Sequence, residues 1–379
     1  MTEALPETMR AARAYAGERH MRVEQVPTPQ PGAGEVLVRV HTAGLTRGLI
    51  AMWWFTNTIT LPGTLGHDIA GTVAAVGPDV EAFREGDRVW VSTALNCGTC
   101  ASCLAGLDNM CSALGVIGYA LYAEGGRERY ERYHDGGFAE YVLAPAANLN
   151  RLPAEVPLEI AGKLGTIAGG LRVLLTAGTV PGGTLAVTAA GGATGAAVAR
   201  LAPVLGFARV IAIARSRGGL ERLAAGQPGD VVTLATDELG EGWETAGALT
   251  ERIREAAGGD GVDAAVDLMP MGTDATVQLV RSLRPGGHAV LMGGNPQSFT
   301  LSYLDVMRNQ WTLSGNRGHR RGDELAVANL IGAGLLKVDD LLTHTFPLDG
   351  VNDAIDLLMS RAGHPGMVTL RPLPDGARV

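Results

Sequence analysis

The chain has 379 residues, 46% hydrophobic and 18% charged, enough apolar material for two separate cores and far from a disordered composition. A formal net charge of −8 with no basic stripe to neutralise a phosphate backbone argues against a nucleic-acid partner. No apolar run is long enough to span a bilayer, and the opening MTEALPETMRAARAY lacks a signal-peptide pattern, so the expectation is a cytoplasmic protein with no membrane partner.

In chain order, the first 150 residues read as short strands between Gly/Pro turns. Residues 35–40 (EVLVRV) alternate, 69–76 are small and β-rich, and 87–91 follow the turn at Gly86. The run Met52-Trp53-Trp54-Phe55 is a candidate apolar wall for a bulky substrate, or plain core. All four cysteines then fall within fifteen residues, at Cys97, Cys100, Cys103 and Cys111. The C-x2-C-x2-C-x7-C spacing predicts one zinc ion held by four thiolates, with Gly98, Ala101 and Ser102 small enough for the loop to wrap. Two alternatives compete. A disulfide framework suits small secreted chains, and a ferredoxin-type run places its fourth cysteine three residues on, before a proline. Four thiolates fill zinc's coordination sphere, so this metal would hold a loop and take no part in chemistry. The segment 118–134 follows, rich in tyrosine, and long segments of this kind often form lids or interfaces.

Regular α/β alternation begins near Pro181. Residues 184–189 read as an apolar strand, 193–205 as a helix, 209–214, 262–268 and 288–292 as further strands. Strands alternating with helices argue for a parallel sheet with covered faces. After about Asn316 the pattern changes, with an amphipathic helix at 323–331 and a β segment at 367–371. The expected organisation is an α/β nucleotide-binding domain inserted into a β-rich domain built from both ends of the chain. Between the first strand and helix lies Ala190-Gly191-Gly192-Ala193-Thr194-Gly195, where a Gly-rich turn passes phosphate to a helix N-terminus. Gly192 would admit the pyrophosphate and Gly195 close helix–strand packing, although Ala190 stands where the fingerprint has its first glycine. At the end of the second strand, where an NAD site has an acidic residue, the chain has Ala214, then Arg215, Ser216 and Arg217. A carboxylate would repel a 2′-phosphate and these residues would bind it, so NADP(H) is the expected cofactor. Only Lys163 and Lys337 are lysines, and neither stands in a setting that suggests Schiff-base chemistry.

These motifs resemble the zinc-containing medium-chain dehydrogenase/reductase family, alcohol dehydrogenase type. The resemblance runs from Met9 to Pro372 and includes Gly66-His67-Asp68, Glu85-Gly86-Asp87-Arg88-Val89, Gly136-Gly137-Phe138-Ala139-Glu140-Tyr141 and Arg284-Pro285-Gly286-Gly287. It implies a β-rich GroES-like catalytic domain of residues 1–160 and 318–379, with a structural zinc loop at 96–112, and a Rossmann cofactor domain with a doubly wound parallel sheet at 161–317. It also implies a homodimer or homotetramer acting on a small molecule. In that family a catalytic zinc is held by two cysteines and a histidine. The matching positions are Thr46, His67 and Thr166, and threonine hydroxyls are poor zinc ligands, so no catalytic zinc is expected. The family's substrate-binding hydroxyl and relay histidine correspond to Gly48 and Ala51, while Arg47 matches a residue that contacts the cofactor pyrophosphate. Zinc-less relatives reduce C=N or C=C bonds, and the resemblance implies such a reductase with Thr46, His67, Asp68 and Thr166 lining its pocket. Two alternatives remain: an alcohol dehydrogenase using Thr46 and bound water, and a non-redox cyclase or binding protein.

Overall fold

The computed structural model of the chain describes residues 5–226, 228–360 and 366–373. Segments from far apart in the sequence meet on one long strand. Glu35–Leu45 is buried over nearly its whole length, and a strand with two apolar faces needs neighbours on both edges. Asp68–Val76 lies antiparallel along one edge, followed outward by Arg88–Val91 and Leu149–Arg151. The other edge is shared. Tyr141–Pro145 pairs its first half, and Met367–Arg371 its second, with Leu342–Pro347 parallel beyond. The result is a seven-stranded sheet, its central strand bent by register shifts at Leu37/Val38 and Val40/Thr42. The chain from Thr93 to Tyr133 leaves this sheet to carry the cysteine loop and the tyrosine-rich segment, the latter containing a short helix, Arg127–Arg132.

The second sheet has six parallel strands: β1 (Thr184–Val187), β2 (Arg209–Ala214), β3 (Asp230–Ala235), β4 (Val262–Asp267), β5 (Leu283–Leu291) and β6 (Thr312–Gly315). Their spatial order is β3-β2-β1-β4-β5-β6, the expected doubly wound arrangement. The order reverses between β1 and β4, and ligands of such sheets bind in the crevice at the carboxyl ends there. Helices cover both faces, which is why β1 and β2 read as continuous apolar runs.

Helix Leu164–Ala177 joins the two sheets, and the sequence pattern did not reveal it. It is apolar and glycine-rich almost all round, with Ile167, Ala168, Val173 and Leu174 wholly buried. Burial of each such Leu, Ile or Val contributes about 1.5–3 kcal/mol, so packing decides this helix and propensity does not. Gly170 lets it approach helix Ala193–Leu201; a methyl there would sit 3.2 Å from that of Ala197. Helix Arg321–Gly332 packs on its other side, tied by Arg172 Nε donating to Asp323 Oδ2 at 2.8 Å. The first residues of this joining helix therefore stand at the seam between the sheets.

Candidate active site

The glycine-rich turn leaves β1 through Ala189, whose φ of +51° is unusual for a residue with a side chain and marks a constrained bend. Gly192 caps helix Ala193–Leu201, leaving its first N–H groups facing the crevice. Gly195 is obligatory: a Cβ would lie 2.4 Å from the Ala189 carbonyl oxygen and 2.7 Å from the Ala190 Cα. Ala190 is wholly buried with its N–H bonded to Ile213 O at 2.9 Å, so the core accepts its methyl. Thr188 Oγ1 and Thr276 Oγ1 donate to the buried Asp267 carboxylate at 2.5 and 2.7 Å, bracing the ends of β1 and β4.

At the end of β2, Ala214 is buried and Arg215 exposed. Arg217 is committed elsewhere, its Nε 2.6 Å from Glu238 Oε1. Arg47 begins helix Arg47–Phe55 and donates to Ser360 O at 2.9 Å. Burial, and then the charge of Arg215, hold its guanidinium below the usual arginine range. A cation at the end of β2 thus acts on one at the start of helix Arg47–Phe55. Beyond Asp267 a cleft of about 390 Å³ opens along the carboxyl ends of β4 and β5, lined among others by Thr273, Met292, Gly293 and Asn316.

Where the two sheets meet, Asp68, which follows His67, and Thr166 come together, and Thr46 lies two residues beyond Gly44, the strand partner of Asp68. Thr46 Oγ1 accepts from Leu49 N at 3.2 Å as the cap of helix Arg47–Phe55. Asp68 is buried and accepts from Thr166 Oγ1 at 2.6 Å. Gly165 brings them close, since a methyl there would be 2.3 Å from Asp68 Oδ1. The same methyl would be 3.2 Å from His319 Cε1, which places a second histidine at the cluster. Burial pushes the His67 pKa down, against the pull of Asp68, so its imidazole is neutral at pH 7, and its Nδ1 is buried without a hydrogen-bond partner. Burial opposes charge on His319 as well, but Glu324, 2.8 Å from its Nε2, outweighs that and raises it. Glu324 is itself buried and accepts from Trp90 Nε1 at 3.2 Å and from the Ser92 hydroxyl.

Three participants were not legible as site residues. Lys163 is wholly buried beside Asp68. A lone charge in the apolar stretch Ile160-Ala161-Gly162-Lys163-Leu164-Gly165 is the signal that marks it. His319 sits in a loop with no motif. Tyr119 lies with its ring 4.5 Å from that of His67 and its hydroxyl 3.6 Å from where a Gly48 Cβ would be. A phenol from the tyrosine-rich segment therefore enters the space left by the missing hydroxyl at position 48. The aromatic run at 53–55 divides instead of forming one wall, because consecutive helical residues point about 100° apart. Trp53 is core, Trp54 lies under Arg19, and Phe55 is exposed.

Away from the cleft, the four cysteine sulfurs lie within 4.8 Å of one another. Cys97 Sγ accepts from Cys100 N, and Cys111 Sγ from Cys97 N and Ala113 N, each at 3.3 Å. Backbone N–H groups aimed at sulfur stabilise thiolates, and this donor set suits a tetrahedral zinc ion. The same lobe holds the next segment of the cleft: Asn109 Nδ2 donates to Arg317 O at 2.7 Å, and Arg321 N to Asp108 Oδ2 at 3.1 Å.

Comparison with known proteins decides the family. The alcohol dehydrogenase GroES-like domain matches residues 32–154, and the zinc-binding dehydrogenase domain matches residues 193–332. The chain belongs to the zinc-type medium-chain dehydrogenase/reductase family. L-threonine 3-dehydrogenase of Bacillus licheniformis is 28% identical over 371 residues, covering 96% of this chain and 99% of that protein. Among solved structures, an NAD-dependent alcohol dehydrogenase is similar at 29% identity with a TM-score of 0.81, covering 96% of this chain and all of the other. A cobalt- and zinc-bound thermostable alcohol dehydrogenase from Pyrobaculum aerophilum follows at 28% identity and 0.79, with the same coverage. This member is an oxidoreductase of the dehydrogenase type with a cysteine cluster that fits a structural zinc. No helix among the described residues is long and apolar enough to cross a membrane.

Proposed function

We propose that this dehydrogenase/reductase is an NADPH-dependent reductase that works without a catalytic zinc, on a C=C, C=N or C=O bond of a bulky metabolite. The observation that carries the cofactor reading is the end of β2. Ala214 replaces a carboxylate, and Arg215 lies near enough to Arg47 for the two cations to repel. An anion between them relieves that repulsion, and a dinucleotide brings such anions. Gly191, Gly192, Ala193, Thr194 and Gly195 would hold the pyrophosphate with Arg47, and Arg215 and Ser216 the 2′-phosphate. Bound NADPH supplies hydride.

The donor set supports the zinc-independent reading. The charges of Asp68 and Lys163 act on His67, Thr166 donates to Asp68 and Thr46 caps helix Arg47–Phe55, so the groups at these positions are hydroxyls, a carboxylate and a cation and not thiolates. Among the described residues, three or more His, Cys, Asp or Glu ligand atoms converge at the cysteine loop. Thr46 and His67 would hydrogen-bond the substrate, while Asp68 and Thr166 fix the pocket floor. The protein would act in the cytoplasm as a homodimer or homotetramer.

The test is NADPH against NADH oxidation over a panel of ketones, enones and cyclic imines, with metal analysis of the same preparation. Preference for NADPH and one zinc per chain are expected. Equal use of both cofactors, or two zinc ions, would overturn the reading. A second reading is an alcohol dehydrogenase using Thr46 and bound water, favoured by the alcohol dehydrogenase relatives; rapid oxidation of secondary alcohols with NADP+ would select it.

A further inference from the structure

Arg317 follows β6 and is among the residues lining the cleft along the carboxyl ends of β4 and β5. Its guanidinium lies 4.5 Å over the Tyr122 ring, while Asn109 Nδ2 grips its carbonyl at 2.7 Å, so side chain and backbone are both anchored. Among the described residues this guanidinium meets no carboxylate. Asp108 of the cysteine lobe is turned to Arg321 N. Asp267, the one acid lining the cleft, already accepts from Thr188, Thr276 and Met269 N. Arg317 is exposed, so its five N–H donors are open to a ligand.

The cofactor's phosphates have other partners, at the turn after β1 and at Arg215 beyond β2. In the sheet order the end of β2 stands four strands from the end of β6, about 19 Å at the usual strand spacing. From Arg317 toward the seam the contacts are aromatic. Tyr122 lies 6.1 Å from Tyr119 with their hydroxyls hydrogen-bonded, and Tyr119 lies 4.5 Å from His67. Tyr122 is 41% exposed and Tyr119 half-buried, so the tyrosine-rich segment offers accessible ring surface between the arginine and the histidine.

We propose that the substrate carries a carboxylate, which the Arg317 guanidinium receives at the outer end of this row of rings, with the reducible bond toward His67. This rests on the nicotinamide-dependent reading above and narrows its bulky metabolite to an acid. A guanidinium matches a carboxylate with two parallel N–H···O bonds. Arg317 is the one cation among the residues lining the cleft, and a single carboxylate balances it where a phosphate dianion would leave charge over. Stacking on Tyr122 restricts the guanidinium before the substrate arrives, which lowers the ordering cost of binding.

The experiment uses the zinc-loaded full chain and two flat probes, para-acetylbenzoate and para-carboxybenzalacetone, each beside its methyl ester. In NADPH oxidation, wild type should favour each acid over its ester about tenfold in kcat/KM, as one charge-assisted contact would, and through KM rather than kcat. Added salt should shrink the preference, because the site is exposed. Arg317→Gln should bring the ratio to about one, and Arg317→Lys should keep part of it, since the charge survives and the fork does not. Both variants retain the backbone carbonyl that Asn109 grips, so zinc content and Tm should hold. Calorimetric titration of para-acetylbenzoate and its ester into NADP+-loaded protein reads the same preference without turnover. An acid favoured over its ester in neither measurement, or a preference that survives Arg317→Gln, would overturn the carboxylate assignment while the reductase reading stands. Failure of wild type to oxidise NADPH with any probe overturns both.

Discussion

The cysteine loop draws its four sulfurs from a single fifteen-residue stretch and orients them with its own backbone N–H groups. The polar cluster at the seam between the sheets draws His67 and Asp68, Lys163 and Thr166, and His319 from segments up to 252 residues apart. The loop can form its site once the metal is present, since its ligands are local. The cleft exists only when helix Leu164–Ala177 is docked between the sheets, because Gly44, Gly165 and Gly170 set the spacings there. Local sites fail as units, whereas assembled sites lose one contribution at a time.

Substituting a cysteine should break the contrast most sharply. Structural zinc binding is worth on the order of 10 kcal/mol, so Cys100→Ser should release the metal and lower Tm more than any change in the cleft. Metal analysis with calorimetry checks this, and an unchanged Tm without zinc would refute it. In the cleft, removing one polar group aimed at developing charge costs about 3 kcal/mol. Thr46→Val and His67→Ala should each reduce turnover about a hundredfold while zinc content and Tm hold, and full activity in both would make them remnants that only pack.

Lys163 should move stability in the opposite direction. Its folded pKa of about 8 lies below the ordinary 10.5. Between those values the unfolded chain binds more protons, so stability rises with pH through that window, and below about pH 8 the whole cost of burying the charge is present. That cost is about 3 kcal/mol by the linkage relation, offset by about 1 kcal/mol for the bond to Leu45 O. Lys163→Met at pH 7 should therefore gain about 2 kcal/mol in urea unfolding; a loss would mean the ammonium serves the fold. The smallest effect is expected at the nucleotide turn. Arg215→Ala should raise the KM for NADPH about tenfold, as one charge-assisted hydrogen bond would, and leave that for NADH in place. Parallel changes in both would sink the 2′-phosphate assignment.

The same division governs what could be read from residues alone. The cysteine spacing, the Gly-rich turn and the alternating strands are local patterns, and β2 and Met367–Arg371 lie where periodicity put them. Helix Ala193–Leu201 ends before residue 205 because Pro203 cannot continue it. Helix Leu164–Ala177 escaped because its glycines and uniform burial erase the amphipathic stripe. Lys163, His319 and Tyr119 escaped because their importance lies in what they face across the seam, and no spacing encodes that.

The cysteine lobe grips the backbone at Arg317 and Arg321, on either side of His319. The metal is thereby a splint for the segment between β6 and helix Arg321–Gly332, which lies outside the sheet. Amide hydrogen exchange across residues 316–321 would then report metal occupancy at a distance, speeding as the lobe loosens although no cysteine touches that segment. A zinc ion with no part in the chemistry would still set how long the histidine waits in place.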